Sequence, residues 1–572
     1  MKAKQQGEFF AIRNSGPAGA IRYGLCLFLL LLAGAPLLAQ HSVADRIEAL
    51  LIEALPDASG PGLTLGVVKD GQLLYQGSRG NMNLAYGLPF NDSTVVGLAS
   101  VTKQFTAACI GLLERQGKLS LQDDVRKYLP ELPFYGDTIR IKHLLHHTSG
   151  LRNHNVLLDL KGFDFTTRGY TNETIEELMF RQKGTNHPPG EKMLYANTNY
   201  VFLALIVERV SGSSLHEFAK QEIFEPLEMG KTFFIRDLET LVPNRAEPYY
   251  ADPEGYKQPK SLTLCVGAGG MESTVPDLLR WSEVFLQADH EFAYLKDFLT
   301  QRDTLNNGER MSYGRGLFVS PYKGLSTYHH SGRDRGMRSQ FIALPALQLA
   351  VFVFANEENI HAVNFSYQIL DLFVPEPAEA PQKAVASTDL ARALQTHTGT
   401  YQEVNSDLRM AIYLENDTLK AVSSRGSTGT SLIPEGPNRF SRIDNSYITY
   451  TFGQEEGEDD LQVDFGGALF YFEKIRLADP PNQELETYVG TYYSQELDVR
   501  YRLQVIEDQL VVTYPNHRLV LSEGQTGVFG ANRRTKYSFH KKNGGESLYF
   551  EVASEGTVKN ILFERVDPSP GI

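Results

Sequence analysis

Ser100 and Lys103 stand three positions apart, in the segment where a long apolar helix is predicted to begin. Residues with this spacing share a helix face, so the Lys103 amine could accept the proton of the Ser100 hydroxyl. A serine hydroxyl is a useful nucleophile only when a neighbouring base activates it. The pair therefore indicates nucleophilic catalysis, and the alternative is a capped helix with a solvated lysine.

The residues after Ser100 support a helix that is buried on one side. Apolar side chains recur there at helical spacing, at Phe105, Cys109, Leu112 and Leu113. Ser100 is a suitable N-cap and Gly117 a plausible end. The free backbone N–H groups at such a helix start could bind an oxyanion.

A second polar motif is Tyr195-Ala196-Asn197, which comes directly before another apolar helix. A tyrosine at such a turn can project into a cleft and act as a general acid or base if its pKa is lowered from about 10. Asn197 could contact both Lys103 and a substrate amide. Both residues are candidates for the site of Ser100.

A third motif, His330-Ser331-Gly332, ends a strand-like run and is followed by Arg333. Gly332 would let a substrate lie against the strand backbone. A histidine with a pKa near 6.5 is mostly neutral at pH 7. A neutral imidazole at His330 would be a weak anchor for a carboxylate.

Three further histidines, His143, His146 and His147, lie close together in the sequence but lack partnering carboxylates. Metal sites usually combine histidines with Cys, Asp or Glu side chains around one ion. We predict no metal at this cluster.

The composition excludes some classes of function. The chain has 572 residues, with 55 basic and 69 acidic side chains and a net charge of −14. No basic cluster with interleaved aromatic residues is present, so nucleic acid is not an expected partner. The sequence gives no prediction of the oligomeric state.

The N-terminal segment resembles an export signal. Basic residues precede an apolar run from Leu25 to Leu38, which is shorter than a membrane span and is followed by Ala39-Gln40. We expect a signal peptide at residues 1–39 and a periplasmic or extracellular bacterial protein. An uncleaved anchor is the alternative, and it would be the one membrane contact.

The pattern of elements predicts an α+β fold. A hairpin around Asp70-Gly71 comes first, a mainly helical block follows, and three strands and a helix (residues 362–373) close this part. This order suggests one antiparallel sheet flanked by helices, with the middle block as a helical insertion.

The C-terminal part contains an internal repeat. Gly399-Thr400-Tyr401 recurs as Gly490-Thr491-Tyr492, and Phe472-Glu473 recurs as Phe563-Glu564, both with an offset of 91 positions. Two equal offsets predict duplicated all-β units, each long enough for a small barrel of about eight strands.

Together these motifs resemble the serine β-lactamase and penicillin-binding protein superfamily, in particular its class C-like branch. Further matching stretches are Leu144-Leu145-His146-His147-Thr148-Ser149-Gly150-Leu151, Ile223-Phe224-Glu225-Pro226-Leu227-Glu228-Met229 and Gly269-Gly270-Met271. The C-terminal units resemble the barrels of bacterial D-aminopeptidases and related esterases. The expected domains are a β-lactamase-related hydrolase (40–373), a linker (374–386) and two β-barrel-like units (387–478 and 484–568).

The resemblance implies specific roles. Ser100 would be the acylating nucleophile, Lys103 and Tyr195 would share the proton transfers, and the backbone N–H groups of Ser100 and Arg333 would form the oxyanion hole. No cofactor is implied. Many members have lysine where this chain has His330. We therefore expect His330 to hydrogen-bond Tyr195 and to hold a substrate carboxylate less well, which favours esters or D-residue peptides over β-lactams.

Three functions follow as hypotheses. The first is an exported serine hydrolase that cleaves an ester or amide of a small molecule or peptide. The second is a β-lactamase or D,D-carboxypeptidase, and the third a non-catalytic protein that binds cell-wall fragments. Transport of apolar ligands by the barrels is a further, less favoured reading.

Overall fold

The computed structural model describes residues 42–260, 262–375 and most of 394–566. In the last part the gaps are 404–407, 417, 424–428, 437, 444–447, 454–459, 466–468, 476–484, 526, 532–534 and 542–547. The expected signal peptide and most of the expected linker lie outside the described residues. Within the described ranges, no helix combines the length and apolar character needed to cross a bilayer.

A six-stranded antiparallel sheet forms the centre of the first part of the chain. Its strands, in spatial order, are Phe318–Tyr322, Leu325–Arg333, Arg338–Leu344, Leu349–Ala355, Leu63–Lys69 and Gln72–Arg79. The predicted Asp70-Gly71 hairpin is confirmed, with positive φ at both turn residues (54° and 73°). The N-terminal strands thus pair with strands almost 300 residues later in the sequence, through Leu63 opposite Ala355.

Helices cover this sheet and fill the insertion between its two halves. They are Val43–Ala54, Lys103–Arg115, Ile141–Leu145, His154–Leu160, Asn172–Phe180, Asn197–Ser211, Leu215–Ala219, Val275–Leu286, Ala293–Thr300 and Ala362–Asp371. Short 3₁₀ turns are Ala99–Thr102, Val125–Lys127, Pro345–Leu347 and Leu485–Tyr488, and Lys220–Phe224 is a π turn. Small strand pairs and a three-stranded sheet connect them: Asn81–Asn83 with Leu88–Pro89, Tyr250–Asp252 with Gly255–Lys257, and Val96–Gly97, Met271–Ser273 and Phe233–Phe234.

The two helices most important for the site pack against each other inside the insertion. Lys103–Arg115 is buried over most of its length, and Asn197–Ser211 is buried from Thr198 to Val207. The Phe105 ring packs against Trp281, with ring centroids 4.3 Å apart, and Trp281 donates to the Gln104 side chain at 3.1 Å. This packing fixes the helix that carries Lys103.

Two closed antiparallel barrels of eight strands each follow, as predicted. The first barrel consists of Gly399–Glu403, Arg409–Glu415, Thr418–Ser423, Thr430–Pro434, Arg439–Arg442, Ile448–Phe452, Asp460–Phe465 and Leu469–Ile475. The second barrel consists of Gly490–Ser494, Val499–Ile506, Gln509–Tyr514, His517–Gln525, Val528–Ala531, Thr535–Lys541, Leu548–Ser554 and Val558–Val566.

The repeat is visible in matching hydrogen bonds. The Tyr401 hydroxyl donates to the His397 carbonyl at 2.9 Å, and Tyr492, 91 positions later, donates to the Tyr488 carbonyl at 3.0 Å. The barrels differ in their packing. Buried side chains of the second barrel join the core of the first part of the chain, whereas those of the first barrel form a separate cluster.

Candidate active site

Ser100 lies in a tight turn rather than at the N-cap of an α-helix. Residues Ala99–Thr102 form a 3₁₀ turn, the α-helix begins at Lys103, and no side chain caps it. Ala99 has a φ of +46°, a left-handed conformation that is unusual for a residue other than glycine. The N-cap prediction is therefore wrong, and the Ser100 hydroxyl is free of that role and open to a cavity.

The Lys103 amine lies at the centre of the polar cluster and is completely buried. Its Nζ atom is 3.0 Å from Ser100 Oγ, 2.9 Å from Asn197 Oδ1 and 2.7 Å from the Ala268 carbonyl oxygen. Burial lowers the pKa of Lys103 well below its ordinary value of 10.5. A neutral amine has two N–H donors and one lone pair. In the neutral form, which burial favours, Asn197 and Ala268 can accept both N–H groups, and the lone pair can then face the Ser100 hydroxyl.

Tyr195 packs beside Lys103, on the turn that precedes Asn197–Ser211. Its ring lies on His147, with centroids 4.2 Å apart, and the Lys103 Nζ atom is 4.9 Å from the ring centroid. Burial raises the pKa of Tyr195 far above its ordinary value, and the Ser100 side chain only partly opposes this shift. The phenol therefore keeps its proton at neutral pH and can act as a donor.

His330 does not pair with Tyr195 as the sequence led us to expect. Its Nδ1 atom is 2.6 Å from the Ser331 carbonyl oxygen, and its Nε2 atom is 3.2 Å from the Tyr313 hydroxyl. A carbonyl only accepts, so Nδ1 carries the proton and Nε2 accepts from Tyr313. Burial lowers the pKa of His330 to about 3, so the imidazole is neutral at pH 7.

Gly332 brings the third motif close to the Ser100 turn. A Cβ atom at this position would lie 2.1 Å from Ser339 Oγ, 2.5 Å from the Leu98 carbonyl oxygen and 3.0 Å from Ala99 Cβ. Ser339 also donates to the Leu98 carbonyl at 2.7 Å. The missing side chain thus makes room for the segment that carries Ser100. Arg333, the next residue, is exposed at the edge of the same cavity.

A cavity of about 420 Å³ opens at Ser100. Of the residues predicted from the sequence, Ser100, Asn197 and Arg333 line it, while Lys103, Tyr195, His330 and Gly332 are outside its lining. Other lining side chains are His154, Asn155, Phe165, Tyr170, Ile235 and Cys265. The cavity has room for a small molecule beside Ser100.

Sequence reasoning missed several of these residues. Asn155 accepts from Asn197 Nδ2 at 2.9 Å and donates to the Tyr170 hydroxyl at 2.8 Å. Tyr170 belongs to a second Tyr-x-Asn pattern, Tyr170-Thr171-Asn172, which lies at the start of a helix. Thr171 does cap that helix, through the Thr174 amide, yet the Tyr170 ring also lines the cavity. Tyr313 and Asn155 carry no sequence signal.

The three clustered histidines have structural partners. His143 Nδ1 accepts from the Arg140 amide, His146 Nδ1 faces the Tyr313 carbonyl, and His147 Nδ1 accepts from the Ala196 amide. The side chains of His146 and His147 are buried. Over the described ranges, no three His, Cys, Asp or Glu side chains converge in a way that could hold a metal ion.

A larger cavity of about 770 Å³ lies between the residues around 216–245 and Glu272. It shares Ile235 with the Ser100 cavity, but none of the predicted catalytic residues lines it. The chemistry suggested by the side chains therefore belongs to the smaller cavity.

The sequence of this chain matches a known protein family and several relatives. The family model for Beta-lactamase matches residues 47–368, more than half of the chain. Penicillin-binding protein 4* of Bacillus subtilis (strain 168) is 28% identical over 448 residues, which are 73% of this chain and 96% of that protein. A D-aminopeptidase of Gluconobacter oxydans (strain 621H) is 29% identical over 469 residues, 80% of this chain and 84% of that protein.

Among solved structures, the octameric penicillin-binding protein homologue from Pyrococcus abyssi has the same fold. It has a TM-score of 0.53 and 22% identity, and the match covers 83% of this chain and 99% of that one. The family match, the α+β sheet and the two barrels confirm the resemblance and the fold predicted from the sequence. This chain belongs to the Beta-lactamase family and is a serine hydrolase of the serine β-lactamase and penicillin-binding protein superfamily.

Proposed function

We propose that this protein hydrolyses an amide or peptide bond next to a D-amino acid residue, through an acyl-enzyme on Ser100. The observation that carries the proposal is the state of the Lys103 amine. It is fully buried, and its Nζ atom is 3.0 Å from Ser100 Oγ, 2.9 Å from Asn197 Oδ1 and 2.7 Å from the Ala268 carbonyl oxygen. A neutral amine in this position is a base able to activate a serine.

The proposed steps combine these positions with the roles that the family resemblance implies. The Ser100 oxygen attacks the substrate carbonyl while its proton passes to Lys103. The backbone N–H groups of Ser100 and Arg333 stabilise the tetrahedral oxyanion. Tyr195, which keeps its proton because burial raises its pKa, donates to the leaving amine and is reprotonated by Lys103. Water then attacks the ester carbonyl of the acyl-enzyme and releases Ser100.

The choice of substrate class draws on the cavity and on the relatives. The D-aminopeptidases that this chain resembles bear that activity in their names. The buried, neutral His330 offers no cation for a substrate carboxylate, although exposed Arg333 lies at the cavity edge. Small esters remain the nearest alternative substrates. The likeness to penicillin-binding protein 4* makes β-lactams and D,D-carboxypeptidase substrates the second candidate.

We further propose that the protein is exported. The support is the basic and apolar N-terminal segment that ends near Ala39. N-terminal sequencing of the mature protein from a secreting bacterial host tests this point. A new N-terminus near Gln40 is expected, and recovery of the intact chain in the cytoplasm would contradict it.

The test of activity is a substrate panel with a matched inactive variant. Wild type and Ser100→Ala are assayed on D- and L-aminoacyl amides, nitrophenyl esters, a D-Ala-D-Ala peptide and nitrocefin. We expect turnover of D-aminoacyl amides, little turnover of their L-enantiomers, and no turnover by Ser100→Ala. A fluorophosphonate probe should label wild type only. Preference for nitrocefin would favour the second candidate, and no labelling at all would favour a binding protein.

A further inference from the structure

The second barrel is joined to the first part of the chain by a buried ion pair. Arg152 Nη1 is 2.5 Å from Glu496 Oε2, and the two side chains are 2% and 5% exposed. The Arg152 guanidinium also donates to the Lys559 and Asn560 carbonyls at 2.9 Å. All three partners belong to the second barrel or to its first loop, so one arginine side chain binds three residues of this barrel.

Neighbouring groups strengthen the same joint. Glu496 Oε2 accepts from the Lys183 amide at 2.8 Å. The Asn186 side chain donates to the Thr557 carbonyl and accepts from the Lys559 amide, both at 2.9 Å. Fully bonded buried charges hold a geometry firmly, because removing one partner leaves the other unpaired in a medium that does not solvate it.

The same segment leads directly to the active site. The Arg152 carbonyl accepts from Thr198 Oγ1 at 2.7 Å, and the His154 amide donates to that Thr198 oxygen at 2.9 Å. Thr198 follows Asn197, which bonds Lys103, and Asn155 accepts from Asn197 Nδ2 at 2.9 Å. Residues 153–155 also line the Ser100 cavity.

We propose that the second barrel is a positioning part of the active site, with Glu496 acting through Arg152 to hold the segment that orients Asn197 and Lys103. The inference rests on the proposed function, because it concerns the same Ser100 chemistry. Glu496 is a positioning residue and not a catalytic one, since the polar groups that it contacts are Arg152, Gln182 and Lys183 and not Ser100.

The contrast between the barrels supports the assignment. The buried side chains of the second barrel are continuous with the core of the first part of the chain, whereas the described buried side chains of the first barrel form a cluster of their own. Tyr501 of the second barrel also donates to the Leu160 carbonyl at 2.6 Å. That contact lies at the far end of the helix that begins at His154, away from the cavity lining, and therefore provides a control at the same interface.

The experiment compares full-length variants for labelling of Ser100 by a fluorophosphonate and for turnover of a D-aminoacyl amide. Glu496→Ala removes the charge and the hydrogen bonds, whereas Glu496→Gln keeps an oxygen acceptor for Arg152 and Lys183. Asn186→Ala is a second, milder variant in case Glu496→Ala does not fold. The interface controls are Tyr501→Phe and Arg181→Gln; the latter breaks the half-exposed ion pair with Asp498. Each protein is assayed below its melting temperature, checked by circular dichroism.

We expect Glu496→Ala to slow the labelling of Ser100 by roughly 10- to 100-fold, because small displacements of catalytic groups have effects of this size. In amide turnover, the loss should be in kcat more than in KM. Glu496→Gln should recover most of the rate, and Asn186→Ala should lose about tenfold. Tyr501→Phe should lower the melting temperature but keep the labelling rate, and Arg181→Gln should change neither.

Several results would overturn the inference. The first is a folded Glu496→Ala variant that is labelled as fast as wild type. If Glu496→Ala does not fold, a folded Asn186→Ala variant that is labelled as fast as wild type has the same meaning. The third is a Tyr501→Phe variant whose labelling is slowed as much as that of Glu496→Ala, which would reveal a merely structural role of the interface. Failure of the proposed function looks different, because wild type itself would then not be labelled at Ser100.

Discussion

Lys103 is fully buried and Tyr195 lies half-buried beside it, with the lysine Nζ atom 4.9 Å from the centre of the tyrosine ring. Burial acts on them in opposite directions: it lowers the pKa of Lys103 and raises the pKa of Tyr195. Both side chains therefore favour the neutral form. We therefore propose that the amine is the base and the phenol the acid, a choice that the sequence left open.

The first prediction concerns the pH dependence of acylation. Lys103 accepts a proton only when neutral, so the labelling rate of Ser100 should rise with pH up to the lowered pKa of Lys103 and be constant above it. Labelling rates measured from about pH 5 to about pH 10 test this. A rate that keeps rising to the ordinary lysine pKa of about 10 would be inconsistent with a neutral amine.

Lys103→Arg is the matched variant for this prediction. A guanidinium stays protonated at all these pH values, so it cannot accept the Ser100 proton. We expect the labelling rate to fall by about 10²- to 10⁴-fold at every pH. Activity near the wild-type level would show that another group accepts the Ser100 proton.

Tyr195→Phe tests the role of the phenol as an acid. We expect kcat for an amide to fall by about 10²- to 10⁴-fold, while the low-pH limb of the labelling profile stays where it is in wild type. An amide needs a protonated leaving group more than a nitrophenyl ester does, so the ester should be affected less. Disappearance of the low-pH limb would instead identify Tyr195 as the base.

Gly332→Ala tests the close approach between the third motif and the nucleophile turn. The added methyl group would lie 2.1 Å from Ser339 Oγ and 2.5 Å from the Leu98 carbonyl, and the carbonyl belongs to the backbone. We expect a loss of about 1–3 kcal/mol in the free energy of unfolding and strongly reduced labelling of Ser100. Urea unfolding and labelling measure the two effects.

The control is the double variant Gly332→Ala/Ser339→Ala. It removes the contact of the added methyl group with Ser339 Oγ and keeps the contact with the Leu98 carbonyl oxygen. Partial recovery of stability without full recovery of labelling is expected. If the single variant Gly332→Ala is labelled at the wild-type rate, the turn that carries Ser100 can move away from the methyl group, and the prediction is wrong.

The fourth prediction concerns stability in acid. Burial lowers the pKa of His329 to about 4, and its Nε2 atom lies 2.8 Å from Ser320 Oγ. Between pH 4 and pH 6.5 the unfolded chain binds a proton at this residue that the folded chain does not. Stability is therefore lost as the pH falls through this window, by about 1.4 kcal/mol per pH unit for one such histidine.

His329→Gln should reduce this slope by about one proton, measured as the free energy of unfolding in urea at several pH values. His361→Gln, at an exposed position, serves as the control and should leave the slope unchanged. An unchanged slope in His329→Gln would contradict the assignment.

The sequence by itself determined the order of elements, the three polar motifs and the repeated barrels. Periodic patterns and turns such as Asp70-Gly71 are local properties, and the offset of 91 positions links Tyr401 to Tyr492 without any structure. The predicted helix is present, but it begins at Lys103 rather than directly after Ser100.

Only the tertiary structure decided the protonation states and the partners. The Ala268 carbonyl reaches Lys103 across 165 positions of sequence, and Tyr313 takes the place at His330 that we expected for Tyr195. The contact of Arg152 with Glu496 spans 344 positions. Burial and long-range hydrogen bonds depend on how distant segments pack, and no local pattern encodes which of several polar groups will lie within 3 Å of another.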